Sequence, residues 1–322
     1  MMSKYPRIVF CSLFVAAGAC DCGGEDTMGD SGPGADARTD MVIPVDVPFD
    51  VEPTSDDCRD ENNRKIFVLT TDLGELPYES HLFRFDPADA SYTRIGQVEC
   101  DVDGSFLRSM AVDRTGNAWA TDSRGFLYQV STTTAACVKS SFATEQEGVR
   151  NFGMGYASIG ESSAERLYIT ATGTWWTGAP EIAYRRLAVI DTSALSVETI
   201  GELEAPTPAN MELTGTGDGR LFGMVVDVRN LRNVITTIEE LDPTTGATMA
   251  SQTVPVEAQS GFAFAQWGGD FWLFTANDSE EARVIQFRFE DASVVNMIDT
   301  DLEVPGTIIG AGVSTCAPYD LI

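Results

Sequence analysis

Two adjacent tryptophans are the clearest candidates in this sequence for contact with a ligand. Trp175 and Trp176 lie in a polar stretch, residues 173–178, whose other members are Gly and Thr. Adjacent indole rings in such a loop can stack on sugar rings or on another flat ligand. They can equally fold down and cover strand edges, since buried tryptophan is common. Tyr78, in the loop at 72–80, is the third candidate ligand-binding residue.

Acidic side chains form a second class of candidates. Asp113, Glu212 and Asp218 could face a central channel, where they would bind a cation or act as a catalytic carboxylate pair. We place each at a turn or strand end, where acidic residues are ordinary turn chemistry, and favour that interpretation. The string at 99–104 begins like a calcium loop but has Met110 where a bidentate acid is required. We therefore predict no metal site and no cofactor, with calcium left open.

The composition argues against several mechanisms. His81 is the single histidine, so chemistry that requires two imidazoles is excluded. The sequence has no Gly-x-Ser-x-Gly elbow to pair with it and no P-loop. We interpret His81 as a surface or packing residue. Whether the protein is an enzyme stays open, and binding without catalysis is favoured.

Acidity excludes two kinds of partner. The chain has 49 acidic and 21 basic residues and a formal net charge of −28. Residues 58–322 alone hold 38 acidic and 18 basic residues. Such a surface repels nucleic acid phosphates and anionic lipid head groups. Cations, neutral sugars and basic proteins remain as ligands.

The first twenty residues have the organisation of an export signal. Lys4 and Arg7 precede twelve mostly apolar residues, 8–19, a run shorter than the roughly 20 residues that span a bilayer. The run ends in Ala-Gly-Ala-Cys, residues 17–20, which resembles a bacterial lipobox. That resemblance implies a diacylated Cys20 that becomes the new N-terminus. An ordinary secretory cleavage site is the alternative. We expect an extracytoplasmic protein attached to a bacterial membrane, inner or outer, through lipid alone.

A spacer follows the cysteine. Residues 21–57 contain eleven acids and one base and are rich in Gly and Pro. Like-charge repulsion and few large apolar residues keep such a segment extended, with a reach of about 30–35 Å. The predicted organisation is a signal peptide at 1–19, a lipidated cysteine with a disordered acidic tether at 20–57, and one folded domain at 58–322.

The folded domain contains five similar units of about 50 residues. Each is interpreted as an inner strand, two alternating strands and an outer strand. The first unit has only three strands, and its missing inner strand is predicted at 306–313. A first unit completed by the C-terminus is how a β-propeller closes its ring. We predict an all-β, single five-bladed propeller of four-stranded blades, or an open or six-bladed arrangement if that closure fails.

Turn sequences support the propeller. Acids, Pro and Gly recur after the third strand of several units, as at 85–87 and 241–246. These strings resemble the diffuse group of NHL-like, PQQ-like and YVTN-type bacterial propellers over residues 64–318. The resemblance implies a fold and no specific activity.

Four of the seven cysteines fall in the folded domain, and an exported chain meets an oxidising compartment. Three pairings are open. Cys58 precedes the first strand and Cys316 follows the closing strand, so a bond between them would lock the ring. Cys100 and Cys137 lie on the outer strands of adjacent units. We favour Cys58–Cys316 with Cys100–Cys137.

These observations predict a cell-envelope lipoprotein that presents a monomeric propeller for recognition of a glycan, a small molecule or a partner protein. The alternatives are a carboxylate-dependent propeller enzyme acting on polysaccharide, and a structural scaffold of the envelope. The sequence leaves the identity of the ligand open.

Overall fold

The architecture was obtained as a computed structural model. It describes residues 57–74, 76–160, 162–172, 186–203, 209–227, 234–255, 261–276, 282–299 and 306–321. Within these ranges the chain forms twenty β-strands, and its three helices are 3-10 turns of three or four residues. In the same ranges, a helix with the length and apolar character to cross a bilayer is not found.

The strands form five antiparallel sheets, or blades, given in order from inner to outer strand. Blade 1 is β20 (Thr307–Val313), β1 (Ile66–Asp72), β2 (Glu79–Asp86) and β3 (Ser91–Gln97). Blade 2 is β4 (Leu107–Val112), β5 (Asn117–Asp122), β6 (Leu127–Ser131) and β7 (Cys137–Lys139). Blade 3 is β8 (Asn151–Ser158), β9 (Glu165–Thr172), β10 (Arg186–Asp191) and β11 (Ser196–Glu202). Blade 4 is β12 (Ala209–Gly215), β13 (Leu221–Asp227), β14 (Ile235–Leu241) and β15 (Thr248–Val254). Blade 5 is β16 (Gly261–Trp267), β17 (Asp270–Ala276), β18 (Ala282–Arg288) and β19 (Ser293–Asp299).

Each inner strand contacts the inner strands of the two neighbouring blades, so the five sheets close into a ring. The C-terminal strand β20 pairs with β1, with Val313 opposite Ile66. The predicted fold class and ring closure are therefore confirmed: the domain is a five-bladed β-propeller. Pairing β20 with β1 also removes the exposed sheet edges that an unclosed ring would leave.

The hydrophobic core lies between adjacent blades. Between blades 1 and 5, the ring of Phe85 packs against Trp272 and Phe274 at centroid distances of 5.4 and 5.2 Å. Trp272 is 4% exposed, and Trp267 donates its indole N–H to the Arg64 carbonyl at 2.7 Å. Both tryptophans are thus packing residues.

The inner strands approach one another closely because several of their residues are glycine. A Cβ atom on Gly153 of β8 would lie 2.1 Å from the Met211 carbonyl oxygen and 2.8 Å from the Cα of Glu212, both on β12. A hydrogen bond joins the same two blades: the Thr170 hydroxyl, on β9 of blade 3, donates to the Met211 carbonyl, on β12 of blade 4, at 3.0 Å. The register of the inner strands is therefore fixed across blade boundaries.

Both predicted disulfides are present. Cys58 bonds to Cys316 across 258 residues of sequence, and Cys100 bonds to Cys137 across 37. The first joins the chain just before blade 1 to the end of the closing strand, and the second joins blades 1 and 2.

Candidate ligand site at the upper end of the channel

The channel has two different ends. We call the end where the inner strands begin the upper face, and the end where they finish the lower face. The C-terminal segment 314–321, called the tail, crosses the lower face. The Gly268 amide donates to the Pro318 carbonyl at 2.6 Å, and Gln266 Nε2 donates to the Tyr319 carbonyl at 3.2 Å.

A pocket occupies the upper end of the channel, with a volume of about 330 Å³ that includes its opening. Blades 2, 3, 4 and 5 all contribute to its wall. The lining residues are Arg108, Thr121, Asp122, Asn151, Phe152, Gly153, Met211, Glu212 and Phe262.

Two opposite charges meet in this pocket. Arg108 is on β4 of blade 2, and Glu212 is on β12 of blade 4. They are the only charged residues on any of the five inner strands, as the strand sequences show. Because all other residues of the inner strands are uncharged, the presence of both ionisable side chains at one cavity marks it as the candidate site.

A hydroxyl group positions the carboxyl. Ser109 Oγ donates to Glu212 Oε2 at 2.5 Å and accepts the Met154 amide N–H at 3.2 Å. One serine therefore joins blades 2, 3 and 4 at the level of the pocket. The Glu212 carboxyl is held in a fixed orientation by residues that belong to other blades.

Burial dominates the electrostatics of this pair. It raises the pKa of Glu212 to about 8, against the opposing effects of the Ser109 hydrogen bond and of Arg108. Burial likewise lowers the pKa of Arg108, and Glu212 opposes that shift. The Arg108 side chain donates no hydrogen bond to any residue within the described ranges. At neutral pH Glu212 is mostly protonated, and the guanidinium is the net charge of the pocket.

The second carboxyl in the pocket wall, that of Asp122, already accepts several hydrogen bonds from its neighbours. Asp122 is fully buried and accepts hydrogen bonds from the Arg124 and Phe126 amides, each at 2.9 Å, and from the Tyr128 hydroxyl at 3.2 Å. The Arg124 guanidinium adds an ion pair at 3.3 Å. Asp122 thus shapes the turn that follows β5, with its oxygens committed to that turn.

The remainder of the wall is largely apolar. Phe152 and Met211 are buried, and Phe262 is half-buried beside them. These side chains can contact the hydrocarbon part of a ligand while Arg108 and Glu212 contact its polar part.

The predicted aromatic residues have different outcomes. Trp175 and Trp176 lie outside the described residues, as does Cys20. The strands on either side of the 173–185 segment, β9 and β10, do end at the upper face, because Thr172 pairs with Asn151. Tyr78 is half-buried on that face, with its ring edge-on to Phe106 at 5.6 Å.

The predicted acids separate into two groups. Asp113 accepts the Asn117 amide at 2.9 Å and Asp218 accepts from the Thr216 hydroxyl, so both stabilise turns at the lower face, in agreement with the favoured interpretation. Glu212 is different, because it is the fourth of the seven residues of β12 and not at a strand end. His81 is 3% exposed and burial lowers its pKa, so it is a packing residue.

A similar polar group occupies the lower end. Glu165 accepts the Arg114 amide at 2.7 Å and the Thr315 hydroxyl at 2.8 Å, while Arg114 Nη1 donates to the same hydroxyl at 3.1 Å. Burial raises the pKa of Glu165 to about 7. We call these three residues the lower cluster. In the part of the chain that the structure describes, no group of three or more His, Cys, Asp or Glu is arranged to hold a metal ion.

Sequence reasoning missed Arg108 and Ser109. The available signal was the rarity of charge on the inner strands. One basic and one acidic residue there, on blades 2 and 4, are the side chains most expected to meet at the channel.

Among known proteins, similarity to this chain was found in solved structures. No family model matches the chain, and no curated protein matches it by sequence. Among solved structures it is similar to the Dos1 propeller, with 10% identity and a TM-score of 0.39 over 74% of this chain and 60% of that one. It is also similar to the C-terminal WD40 domain of Sif2, with 8% identity and a TM-score of 0.31 over 74% of this chain and 70% of that one. At these identities the similarity concerns the fold alone.

Proposed function

We propose that this chain is an exported lipoprotein of the bacterial cell envelope whose monomeric propeller binds a ligand at the upper end of its channel. The observation that carries the proposal is the pocket containing the only two inner-strand charges. A buried charged pair is costly to keep in a channel wall. Its retention there, beside an apolar wall, is typical of a recognition site.

The proposed anchor agrees with the position of the domain's N-terminal end. Cys58 is bonded to Cys316, which follows Ser314, and Ser314 donates to the Asn63 carbonyl at the lower face. A tether that leads to a lipidated Cys20 therefore joins the domain at the face opposite the pocket. We retain the resemblance to NHL-like, PQQ-like and YVTN-type propellers as part of the proposal.

The anchor is tested by labelling cells with a palmitate analogue and comparing the wild-type chain with Cys20→Ala. We expect label on the wild-type protein and none on the variant. Cys22→Ala is the matched control and retains the label. Equal labelling of wild-type protein and Cys20→Ala contradicts the lipoprotein proposal.

A carboxylate-dependent enzyme acting on polysaccharide is the second candidate, favoured by one observation. A glutamic acid with a pKa near 8 in a cavity is suited to be a general acid. Such hydrolysis also needs a second free carboxylate, and the Asp122 oxygens in the same wall are occupied. Binding without catalysis is therefore the better-supported function.

Ligand binding is tested by thermal-shift screening and calorimetry with neutral monosaccharides, small organic acids and amines, and by a glycan array. We expect one class to bind the wild-type protein and to lose affinity in Arg108→Gln. Arg150→Gln is the matched control, because Arg150 is an exposed residue paired with Glu145 at 2.9 Å. Glycan binding that depends on Trp175 and Trp176 but not on Arg108 would move the site to the 173–185 loop. Polysaccharide turnover that is lost in Glu212→Gln would favour the enzyme, and the absence of any ligand would favour the scaffold.

A further inference from the structure

We infer that the upper pocket binds the carboxylate group of a small organic acid with an apolar body, and that Arg108 is the residue that holds it. This inference rests on the proposed ligand site and names the chemical class of its ligand.

The donors of Arg108 are the first argument. A guanidinium carries five N–H donors in a planar fork that matches the two oxygens of a carboxylate. The Arg108 side chain uses none of these donors on a residue that the structure describes, and it lines the pocket. Its donors are not used by the described residues, so a bidentate carboxylate can take them without displacing an existing hydrogen bond to those residues.

Glu212 does not take that role itself. The shortest contact of its carboxyl is with Ser109, and no ion pair within 4.0 Å joins it to Arg108. Because burial raises its pKa to about 8, Glu212 is mostly protonated at neutral pH. A protonated carboxyl can donate a hydrogen bond to an incoming carboxylate, while Arg108 supplies the opposite charge.

The other charged groups around Glu212 do not substitute for a ligand. The oxygens of Asp122, at the end of β5, accept hydrogen bonds from its own turn. The strands β8, β16 and β20 contribute no Asp, Glu, Lys, Arg or His, and the single tyrosine of β8, Tyr156, lies beside Asp113 and Glu165 at the lower end. On β9 and β13, which also pack against β12, Glu165 and Arg166 lie at the lower end, and Asp227 ends β13 opposite Ala209. Among the described residues, Arg108 is the one cation in the pocket wall.

The size and lining of the pocket define the rest of the ligand. The volume of about 330 Å³ includes space open to solvent, so a ligand would be only partly enclosed and its far end would lie at the mouth of the pocket. Phe152, Phe262 and Met211 offer contacts to an apolar group. One guanidinium inside an acidic domain favours a monoanion over a phosphate dianion, because the surrounding charge repels the second negative charge.

Binding should weaken at alkaline pH. Above a pH of about 8 Glu212 ionises, neutralises Arg108 and repels a second carboxylate. If only the form with protonated Glu212 binds, affinity falls about tenfold between pH 6.5 and pH 9.

The experiment is calorimetry on the disulfide-bonded protein with four probes: phenylacetate, propionate, benzyl alcohol and inorganic phosphate. We expect phenylacetate to bind best, propionate more weakly, and the neutral alcohol and phosphate not to bind. Arg108→Gln should weaken phenylacetate binding at least about tenfold, since it removes a charged hydrogen-bond donor. Arg108→Lys keeps the charge without the fork and should bind several-fold more weakly than wild type, which gives a second measurement if Arg108→Gln does not fold.

The pH dependence of binding in Glu212→Gln is the most discriminating measurement. Glutamine resembles the protonated acid, so phenylacetate binding should persist and lose its dependence on pH between 6.5 and 9. The control Arg150→Gln should match the wild type at both pH values. Benzyl alcohol binding as well as phenylacetate overturns the inference, as does carboxylate binding that is unchanged in Arg108→Gln and Arg108→Lys.

Failure of the inference can be told apart from failure of the proposed function. If none of the organic acids binds but a neutral sugar or an amine does so in an Arg108-dependent manner, the site stands and the carboxylate assignment is wrong. If no probe class binds in an Arg108-dependent manner, both are wrong.

Discussion

The two ends of the channel contain the same chemical groups and use them differently. At the upper end a glutamic acid, a hydroxyl and an arginine come from Glu212, Ser109 and Arg108. At the lower end the same three groups come from Glu165, Thr315 and Arg114. Burial raises the pKa of both glutamic acids.

The two ends differ in the hydrogen-bond partners that the protein supplies to the glutamic acid and to the arginine. Glu165 receives two hydrogen bonds, and the tail that supplies one of them also crosses that end of the channel. The Glu212 carboxyl accepts a hydrogen bond from the Ser109 hydroxyl and lies near the Met154 amide. Arg114 donates to Thr315, whereas Arg108 makes no hydrogen bond to a described residue and lies beside a cavity. The same residues therefore act as a structural cluster where the protein supplies every partner, and as a candidate site where one partner is missing.

The largest expected effect tests the role of the lower end in stability. The double variant Cys58→Ser, Cys316→Ser opens a loop of 258 residues and releases the tail. We expect the free energy of unfolding to fall by about 4–5 kcal/mol, because the unfolded chain regains loop entropy. Urea denaturation measures it. The counterpart Cys100→Ser, Cys137→Ser, with a loop of 37 residues, should cost about 3–4 kcal/mol. A smaller loss for the first pair than for the second would contradict a ring held by its closure.

The dependence of stability on pH should separate the two glutamic acids. Below their ordinary pKa of 4.5 both are protonated in the folded and unfolded states. As pH rises the unfolded chain ionises first, so stability falls until the folded pKa is passed, by up to about 3 kcal/mol for Glu165 and about 5 kcal/mol for Glu212. Thermal melts should show that Glu165→Gln removes the part of this fall that ends near pH 7. Glu212→Gln should remove the part that extends to about pH 8. Identical pH profiles for both variants and the wild type would refute this assignment.

The next-largest effect is expected from adding a methyl group where two backbones pack closely. Gly153→Ala would place a methyl group against the Met211 carbonyl and push β12, with Glu212, away from β8. We expect a loss of about 2–3 kcal/mol from overpacking, together with loss of ligand binding. At the lower end, Gly217→Ala would place its methyl group 2.4 Å from the Thr315 carbonyl oxygen. It should destabilise the tail and leave binding intact. Equal effects on binding would remove the functional distinction between the ends.

The smallest effect concerns the two hydroxyl groups. Ser109→Ala removes the hydrogen bond to Glu212 and the acceptor for the Met154 amide. Thr315→Val removes the equivalent bond at Glu165. Each should cost about 1–2 kcal/mol in unfolding free energy, measured in urea, because a buried partner loses its hydrogen bond. Only Ser109→Ala should change ligand affinity, and an effect of Thr315→Val on affinity would argue against two independent ends.

The parts of the fold that were predictable are those encoded in local patterns. Alternating strands and turn residues such as Asp242, whose carboxyl accepts the Thr244 amide at 2.7 Å, define the blades and their order. Cys58 and Cys316 could be paired because they flank the first and last strands of a closed ring.

The candidate site depends on longer-range geometry. The pairing of β4 with β5 is irregular, because its register shifts between Leu107 and Ser109. Arg108 lies between these two residues. Its approach to Glu212 depends on the depth of each inner strand in the ring, which no local pattern encodes. In the sequence, Glu212 resembled an acidic residue that stabilises a turn. In the structure, residues from the other blades surround it and place it in a pocket.

The Cys58–Cys316 bond also determines how the domain carries a mechanical load. A pull on the chain before Cys58 divides at the disulfide, and part of the force passes directly to the end of β20. Because β1 and β20 are adjacent in one sheet, the two covalent paths load neighbouring strands together and oppose the peeling of β1 from the ring. A domain held at that corner behaves as a closed loop with a single point of attachment.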